Sequence, residues 1–331
     1  MIKNFKGKKI LVTGADGFIG SHLVEKLVEI GCEVKATSLY NSFGTNGWLD
    51  YVENKEFKIV KLDIRDGDNM IRVVKGCDMV FHLAALISIP FSYESPRSYC
   101  DTNISGTINV LEACRHNNVE KILITSTSEV YGTALEVPIK ETHPKQPQSP
   151  YSATKIAADA ISSSYYNSFG LPITIVRPFN TYGPRQSLRA IIPTLICQFL
   201  NNTPLKTGNL NPTRDFVFVK DTVDGFIEIA KSDKLIGEEV NIATNKEISI
   251  KDLIIKISEI LQLKNDVITE AERLRPSNSE VYRLLGSAEK IKLNTNWDSQ
   301  YNIEKGLKET IEWFKENKEL PIYKYYNSYN Y

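Results

Sequence analysis

Short apolar runs alternate with amphipathic stretches through the first 180 residues of the chain. The first run is ILV at 10–12, and the segment after it carries Leu23, Leu27 and Ile30 on one helical face before Gly31 ends the helix. The same alternation predicts strands at 33–37, 57–60, 79–83, 121–125 and 173–176, with helices at 67–75, 98–116 and 150–169. Repeated strand–helix–strand units predict an α/β fold, a doubly wound parallel sheet covered by helices on both faces.

The pattern becomes less regular beyond about residue 178. Helical spacing is present at 190–200, 249–261 and 303–315, and loops rich in Asn, Thr and Pro separate these segments. We therefore expect a regular domain over 1–180, a smaller C-terminal region over 181–322 and a tail over 323–331. The tail is rich in Tyr and Asn, so we expect it to pack poorly.

Composition and charge argue against several classes of protein. The 331 residues carry 40 Lys and Arg against 40 Asp and Glu, and zero net charge disfavours binding to nucleic acid or to an anionic membrane. No apolar run approaches the ~18 residues of a membrane span. The first residues lack the apolar core of a signal peptide, so we expect a cytoplasmic protein. Five scattered cysteines without a Cys/His cluster predict neither a disulfide framework nor a metal site.

A glycine-rich segment, TGADGFIG at 13–20, follows the first strand and opens the first helix. Gly14 suits a tight turn, Gly17 lets the backbone approach a pyrophosphate, and Gly20 allows the helix to pack closely on the strand. The helix N-terminus then offers N–H groups to phosphate. These features predict a dinucleotide site of the Rossmann type in the first domain. The other candidate cofactor contacts in this turn are Asp16, Phe18 and Ile19.

The sequence leaves the choice between NAD and NADP open. In NAD-binding folds an acidic residue usually ends the second strand and holds the adenosine ribose, but here that position falls on Ser38. No Arg follows closely to hold a 2′-phosphate, which favours NAD without excluding NADP. Asp63 and Ile64 follow the third strand, where we expect the adenine edge. A helix-capping role is the alternative for Asp63.

Tyr151 and Lys155 form a YxxxK motif at the start of a predicted helix. Ser149 is a suitable N-cap and Pro150 a suitable first-turn residue. A spacing of four places Tyr151 and Lys155 on one helix face. Because an ammonium group beside a phenol favours the phenolate, we expect the Tyr151 pKa to fall from its usual ~10.

The segment TSTSEVYG at 125–132 begins at the C-terminal end of a predicted strand, where doubly wound folds place their active sites. Thr127 is suited to donate a hydrogen bond to a substrate hydroxyl. Glu129 adds a carboxylate that simple hydride transfer does not require, and a capping or solvated Glu is the alternative. The segment therefore indicates acid–base chemistry in addition to hydride transfer.

These motifs resemble the extended short-chain dehydrogenases/reductases, the NAD-dependent epimerase/dehydratase family, over nearly the whole chain. Further matching segments are HLAA at 82–85, DTNISGT at 101–107, RPFNTYGPR at 177–185 and TRDF at 213–216. Within the family the chain most resembles nucleotide-sugar 4,6-dehydratases, of the type that acts on nucleotide-activated N-acetylglucosamine in the legionaminic acid pathway. The segments that carry this closer resemblance are 39–42, 48–50, 178–187 and 274–281.

The resemblance implies roles for the candidate residues. Tyr151 takes the C4 hydroxyl proton during hydride transfer, and Glu129 removes the C5 proton and returns it to the departing C6 hydroxyl. Glucose-type dehydratases have Thr-Asp-Glu where this chain has Thr127, Ser128 and Glu129, so Glu129 is expected to act as both base and acid. Further implied cofactor contacts are Leu83, Ala84, Ala85 and Thr125. The implied substrate contacts are Ser88, Asn180, Arg185, Arg214, Arg275 and Glu280.

Two alternatives to dehydration remain at this stage. A nucleotide-sugar 4-epimerase would share Tyr151, Lys155 and the cofactor, but it would have no use for Glu129. A non-catalytic dinucleotide sensor on the same fold would commonly lack the Tyr or the Lys. The family resemblance also implies a homodimer through the helices at 104–116 and 153–169, and it leaves the nucleotide base and the exact sugar undetermined.

Overall fold

The computed structural model describes residues 5–329 and shows an α/β architecture. Its strands are β1 Lys9–Thr13, β2 Glu33–Ser38, β3 Phe57–Lys61, β4 Met79–His82, β5 Lys121–Thr125, β6 Ile173–Pro178, β7 Asn180–Tyr182, β8 Leu205–Thr207, β9 Thr213–Arg214, β10 Phe216–Phe218, β11 Glu239–Ile242, β12 Ile248–Ser249, β13 Val267–Thr269 and β14 Arg283–Leu284. Its α-helices are α1 Phe18–Glu29, α2 Gly67–Val74, α3 Ile89–Glu94, α4 Pro96–Tyr99, α5 Gly106–His116, α6 Pro150–Phe169, α7 Ile191–Leu200, α8 Val219–Lys231, α9 Ile250–Leu261, α10 Glu289–Asn294 and α11 Ile303–Asn317.

Seven parallel strands form the main sheet in the order β11-β6-β5-β4-β1-β2-β3. The chain adds strands on one side of β1 and then returns to add β4, β5 and β6 on the other side, so the predicted doubly wound sheet is confirmed. The order reverses between β1 and β4. Ligands of such sheets bind at this switch point, beyond the carboxyl ends of the strands.

The sheet is buried on both faces. All four residues of β4 and all six of β6 are buried, as expected for parallel strands that helices cover on both sides. Helices α1 and α8 pack against each other on one side, and α2, α5 and α6 form the layer on the other side. None of the described helices is both long enough and apolar enough to cross a membrane.

The C-terminal half returns to the sheet after the boundary predicted at residue 180. Strand β11 pairs with β6 at the sheet edge, while β7, β8, β9, β10, β12, β13 and β14 form three small sheets around the mouth of the cavity described below. The division into domains at 180 therefore stays a prediction.

Two local expectations differ from the structure. The predicted helix at 98–116 is interrupted, because α4 passes into the π-helical turn Cys100–Ser105 before α5 begins. In this turn the buried Asn103 amide bonds both the backbone N–H and the C=O of Leu86, at 2.9 Å each. The expectation of a poorly packed tail is wrong at Tyr323, which is fully buried with its ring 4.9 Å from that of Phe314. Residues 330 and 331 of the tail lie outside the described residues.

His82 ends β4 within a chain of hydrogen bonds that fixes its tautomer. Thr13 Oγ1 accepts from the two backbone N–H groups that follow His82, so its own proton goes to His82 Nδ1 at 2.8 Å. The Thr107 hydroxyl donates to the Asn103 carbonyl and lies 3.1 Å from His82 Nε2, which therefore carries the ring proton. Burial lowers the pKa of His82 to about 3. A neutral His82 thus holds the segment beside the glycine-rich turn in place.

We expect the free energy of unfolding to fall on acidification, because folded His82 does not accept a proton. Its folded pKa of about 3 lies below the usual 6.5, so the unfolded chain binds more protons between these values. The stability is present above about pH 6.5 and is lost by about 1.4 kcal/mol per pH unit as the pH falls towards 3. Urea denaturation at several pH values measures this slope. His82→Gln, whose amide does not titrate, should lose this part of it, and equal slopes in both proteins would contradict the assignment.

Candidate active site

A cavity of about 1360 Å³ opens beyond the carboxyl ends of the sheet strands. Pockets for one small ligand usually measure about 300–1,000 Å³, so this cavity has room for a cofactor and a substrate together. The sequence-predicted residues that line it are Gly14, Asp16, Gly17, Phe18, Ile19, Gly20, Asp63, Ile64, Leu83, Ala84, Ala85, Ser88, Thr125, Thr127, Ser128, Glu129, Tyr151, Asn180, Arg185, Arg214, Arg275 and Glu280. Ser38 and Lys155 are buried directly behind neighbours that line the cavity.

The glycine-rich turn is shaped so that only glycine fits. Gly14 has φ +65°, and a Cβ there would lie 2.7 Å from the backbone nitrogen of Ala84. A Cβ on Gly20 would lie 2.1 Å from the Gly14 carbonyl oxygen. Gly17 is the N-cap of α1 and supplies no side-chain cap, which leaves the N–H groups of the first turn facing the cavity. This cradle fits the pyrophosphate of a dinucleotide.

The end of β2 brings one acid and one lysine together. Asp16 Oδ2 accepts from the Leu39 backbone N–H at 3.2 Å. Lys61, the partner of Ser38 in the β2–β3 register, donates to Ser38 Oγ at 3.2 Å and to the Thr45 carbonyl at 2.9 Å. Burial raises the pKa of Asp16, and hydrogen bonds from Leu39 and Ser38 oppose that shift. Asp16 of the glycine-rich turn therefore places a carboxylate beside Ser38, where the sequence has no acid.

Asp63 lies at the cavity edge and does not cap α2. Its carboxylate forms a forked ion pair with Arg65, with 2.6 Å between Oδ2 and Nη2, which lowers the pKa of Asp63. The N-cap of α2 is Asp66, whose side chain accepts from the Asn69 backbone N–H. The capping alternative considered for Asp63 is therefore wrong, and its contact with adenine stays a prediction.

The helix that carries Tyr151 and Lys155 begins as predicted. Ser149 caps it through a reciprocal capping box with Ser152, and Pro150 occupies the first turn. The phenol of Tyr151 reaches the cavity, and its ring packs edge-on against Tyr99 with 6.3 Å between the centroids. The capping box therefore fixes where the reactive side chains project.

Lys155 does not lower the Tyr151 pKa in this structure. Burial raises the pKa of Tyr151, a hydrogen bond with Thr127 opposes that shift, and the charge of Glu129 adds to it. Lys155 Nζ donates to the Thr125 carbonyl at 2.6 Å, and burial lowers its pKa to about 8 while Asp159 raises it. The expectation of a lowered Tyr151 pKa is wrong here because desolvation outweighs the neighbouring groups.

The segment after β5 presents three side chains near Tyr151. Thr127 caps the 3₁₀ turn Ser128–Tyr131 by accepting from the Glu129 backbone N–H at 3.2 Å. Ser128 is buried, while Glu129 is half-buried and lines the cavity. A carboxylate, a threonine hydroxyl and a phenol therefore line the same cavity, and the first two influence the pKa of the phenol.

A buried guanidinium joins the elements beneath the site. Arg177 in β6 has no exposed side-chain surface, and its Nη2 lies 2.9 Å from Asp159 of α6 and 2.6 Å from Glu239 of β11. Its Nη1 donates to the Tyr131 hydroxyl at 2.8 Å. Ser126, directly after β5, donates to the same Asp159 carboxylate at 2.9 Å. The sequence reasoning missed this cluster, which fixes β5, β6, β11 and α6 relative to one another.

The far end of the cavity carries two arginines close to one acid. Glu280 Oε1 lies 3.6 Å from Arg214 Nη2 and 3.9 Å from Arg275 Nη1, so neither pair is a close hydrogen bond. Arg275 Nη1 and Asn180 Oδ1 are buried and have no hydrogen-bond partner within residues 5–329. Burial lowers the pKa of Arg214, which remains a cation at neutral pH. Two cations against one carboxylate leave room for an anionic ligand.

Arg185 is placed differently from the other two predicted phosphate ligands. It lines the cavity, but its Nη1 and Nη2 each donate to the carboxylate of Glu25 in α1 at 2.7 Å. Its backbone has φ +68°, which turns the side chain towards α1. In this structure Arg185 therefore links the C-terminal half to α1 through an ion pair. Its contact with a substrate stays a prediction.

The fold and this cavity define an extended short-chain dehydrogenase/reductase, and comparisons with known proteins agree. The family model for GDP-mannose 4,6 dehydratase matches residues 11–310. The dTDP-D-glucose 4,6-dehydratase of Homo sapiens is 32% identical over 326 residues, which cover 94% of this chain and 91% of the relative. The putative UDP-glucose 4-epimerase of Methanocaldococcus jannaschii is 33% identical over 318 residues, which cover 93% and 99%. The structure of DesIV, a dTDP-glucose 4,6-dehydratase from Streptomyces venezuelae with NAD bound, superposes with a TM-score of 0.87 at 27% identity and covers 94% of this chain and 98% of its own.

The chain therefore belongs to the family of NAD-dependent nucleotide-sugar 4,6-dehydratases and epimerases. The family resemblance seen in the sequence is confirmed. Because the relatives include both dehydratases and epimerases, the choice between the two reactions depends on the residues of the site.

We expect Gly20→Ala to weaken dinucleotide binding by about tenfold or more, or ~1.4 kcal/mol. The added Cβ would meet the Gly14 carbonyl oxygen, so the turn that cradles the pyrophosphate must move. Fluorescence titration with NADH measures the effect, and thermal unfolding checks that the variant is folded. Gly170→Ala is the matched control, because Gly170 caps the C-terminus of α6, does not line the cavity and, among the described residues, has no atom beyond its chain neighbours within 4 Å of the added Cβ. Equal NADH affinity in wild type and Gly20→Ala would show that the dinucleotide does not use this turn.

Proposed function

We propose that the protein is a nucleotide-sugar 4,6-dehydratase that converts an NDP-hexose, NDP-N-acetylglucosamine in our proposal, to its 4-keto-6-deoxy product. The observation that carries the proposal is the position of Glu129. It lines the same cavity as Tyr151, and after burial its charge is the main factor that raises the pKa of that phenol. Loss of water across C5–C6 requires a group that takes the C5 proton, whereas epimerisation at C4 gives a carboxylate there no task.

The first half-reaction uses the tyrosine and its neighbours. Tyr151 takes the proton of the C4 hydroxyl, and Thr127, which is hydrogen-bonded to the phenol, orients that oxygen. One N–H of the Lys155 ammonium group donates to the Thr125 carbonyl. The two other N–H groups are available to the cofactor ribose and the phenolate. NAD, when bound, would supply the hydride acceptor for C4 and the hydride donor for C6. The glycine cradle and the segment 83–85 hold this cofactor.

The second half-reaction belongs to Glu129. Oxidation at C4 makes the C5 proton acidic, and the Glu129 carboxylate removes it. The same carboxyl group then protonates the C6 oxygen, which leaves as water. When hydride returns to C6, C5 takes a proton from solvent through Glu129, and Tyr151 releases the C4 hydroxyl proton to solvent. Ser128 stands where glucose-type dehydratases carry a second acid, and it is buried, so one carboxyl group serves both steps.

The far end of the cavity holds the nucleotide diphosphate. Arg214 and Arg275 face it with guanidinium groups that lie 3.6 and 3.9 Å from Glu280, beyond a close hydrogen bond, and the charge of Glu129 also acts on Arg214. Forked guanidinium contacts suit phosphate oxygens. The unpartnered Asn180 Oδ1 accepts from a sugar hydroxyl in this arrangement, and Ser88 and Glu280 complete the polar contacts.

We also propose NAD as the cofactor, a cytoplasmic location and a homodimer. The Asp16 carboxylate beside Leu39 and Ser38 suits ribose hydroxyls and opposes a 2′-phosphate. The exposed Ala153 and Ala160 lie two turns apart on one face of α6, where small residues allow a second helix to approach closely. Light scattering tests the dimer directly.

Epimerisation is the second candidate function, favoured by the 33% identity to the putative epimerase of Methanocaldococcus jannaschii. It uses Tyr151, Lys155 and the cofactor in the same way and leaves the substrate mass unchanged. Mass spectrometry of the product from GDP-, UDP- and dTDP-N-acetylglucosamine separates the two, because dehydration removes one water.

We expect Glu129→Gln to separate the two half-reactions. The amide keeps the size and hydrogen-bonding reach of the carboxylate but cannot take the C5 proton. Substrate should therefore still produce the absorbance of reduced nicotinamide, while dehydrated product forms about 10²–10⁴-fold more slowly. Exchange of the C5 hydrogen with solvent deuterium should fall in parallel.

Two further variants serve as controls for Glu129→Gln. Tyr151→Phe should abolish both the reduced-nicotinamide signal and the product while cofactor stays bound. Glu136→Gln, an exposed glutamate seven residues further along the chain, should leave both unchanged. Dehydration by Glu129→Gln at the wild-type rate would remove the carboxylate from the mechanism and favour epimerisation.

We expect the protein to bind NADH more tightly than NADPH, and Asp16→Asn to reduce that preference by about tenfold, or ~1.4 kcal/mol. The amide preserves the acceptor for the Leu39 N–H but removes a negative charge beside the ribose. Titrations at pH 8 keep the Asp16 carboxylate charged despite its raised pKa. An unchanged preference in Asp16→Asn would mean that another group selects the cofactor.

A further inference from the structure

The C-terminal segment 321–329, here called the strap, packs along the mouth of the cavity. It lies beyond residue 310, where the match to the family model ends. Its anchor is the buried Tyr323, whose hydroxyl donates to the Gln186 carbonyl at 3.1 Å. Three side chains of the C-terminal half then bond successive strap carbonyls. These bonds run from Gln198 to Tyr326 at 3.4 Å, from Lys206 to Asn327 at 3.2 Å and from Arg273 to Ser328 at 3.2 Å.

The strap forms one wall of the cavity at its substrate end. Pro321, Ile322 and Tyr329 line the same space as Arg214 and Arg275. The Arg273 guanidinium lies over the Tyr329 ring, 5.4 Å from its centroid. A planar guanidinium and an aromatic ring therefore stand together beside the two arginines that face the diphosphate position.

The opposite wall is the end of β8 and the turn after it. Thr207, Gly208 and Asn209 line the cavity there, and β8 pairs with β13. A Cβ on Gly208 would lie 2.4 Å from the Arg273 carbonyl oxygen, so glycine lets the two walls approach. The Thr207 side chain is 1% exposed, and its hydroxyl has no hydrogen-bond partner in the described part of the chain. A buried hydroxyl of this kind indicates a ligand that completes its hydrogen bonding.

The two cations at this end are already held in close ion pairs. Glu270 pairs with Lys206 Nζ at 2.8 Å and with Arg273 Nε at 2.8 Å, so one carboxylate faces both cations. These two cations are therefore less suited to phosphate than Arg214 and Arg275. Aromatic and guanidinium planes with nearby hydroxyl and amide groups recognise heteroaromatic bases, by stacking and by edge hydrogen bonds.

We propose that the strap completes a binding site for the base of the substrate nucleotide, with Tyr329 on Arg273 as its stacking wall and Thr207 as a polar contact. This inference rests on the proposed function, because it takes the substrate to be a nucleoside diphosphate sugar. The base site then lies one step beyond the arginines that hold the diphosphate.

Calorimetric titration with UDP, GDP and dTDP tests the proposal without turnover. Tyr329→Ala should weaken the tightest of these nucleotides by about tenfold or more, since loss of one stacking side chain has an effect of that size. Tyr329→Phe keeps the ring and should bind close to wild type. A chain that ends at Asn327 should match Tyr329→Ala. Inorganic pyrophosphate should bind equally to all of them, because Arg214 and Arg275 are unchanged.

Tyr325→Ala is the matched control, because Tyr325 is a largely exposed strap residue that does not line the cavity. It should leave every dissociation constant unchanged. If Tyr329→Ala leaves the nucleotide affinity unchanged, this inference is wrong, while the proposed function still stands. Equal losses for nucleotide and pyrophosphate would also overturn it, because the strap would then support the fold and not the base. Binding of none of the three nucleotides by the wild type would overturn both the inference and the proposed function.

Discussion

The arrangement of the active site depends on one buried charge cluster. Arg177 has no exposed side-chain surface, and its guanidinium bonds Asp159, Glu239 and Tyr131 from three different elements. Burial opposes its charge, but the surrounding phenol and carboxylates more than compensate and raise the pKa of Arg177. Removing one partner from such a pair typically costs ~3–5 kcal/mol, because the other charge stays buried. The cluster therefore fixes the helix and strand ends that carry the reactive groups.

The Arg177 cluster also affects Lys155, the proposed catalytic lysine above it. Asp159 lies one helical turn beyond Lys155 and partly offsets the desolvation that lowers the lysine pKa to about 8. Ser126 joins the same carboxylate, and its neighbour Thr125 accepts the lysine N–H. The ammonium group is thus held by the backbone of β5, while burial and the charge of Glu129 raise the pKa of Tyr151.

In our proposal the cavity binds its two anionic ligands by different physical means. At the cofactor end, backbone N–H groups at the start of α1 face the pyrophosphate position, and glycines keep side chains out of the way. At the substrate end, Glu280 lies 3.6 Å from Arg214 and 3.9 Å from Arg275, while Glu270 pairs closely, at 2.8 Å, with both Lys206 and Arg273. Glu129 stands between these ends beside Tyr151. This order along the cavity supports a substrate with a sugar at the centre and a nucleotide at the far end.

The sequence by itself determined the features that depend on neighbours along the chain. The spacing of apolar residues predicted the strands of the main sheet, the three glycines at 14, 17 and 20 predicted the cradle, and Ser149 with Pro150 predicted the start of α6. Each is decided within one or two turns of backbone, so local pattern is sufficient. The tertiary structure alone decided the pairing of Arg185 with Glu25 across 160 residues, the raised Tyr151 pKa and the packing of the tail as a cavity wall. These features arise from close approach between distant segments and from the desolvation that follows, and neither is encoded in the order of residues along one element.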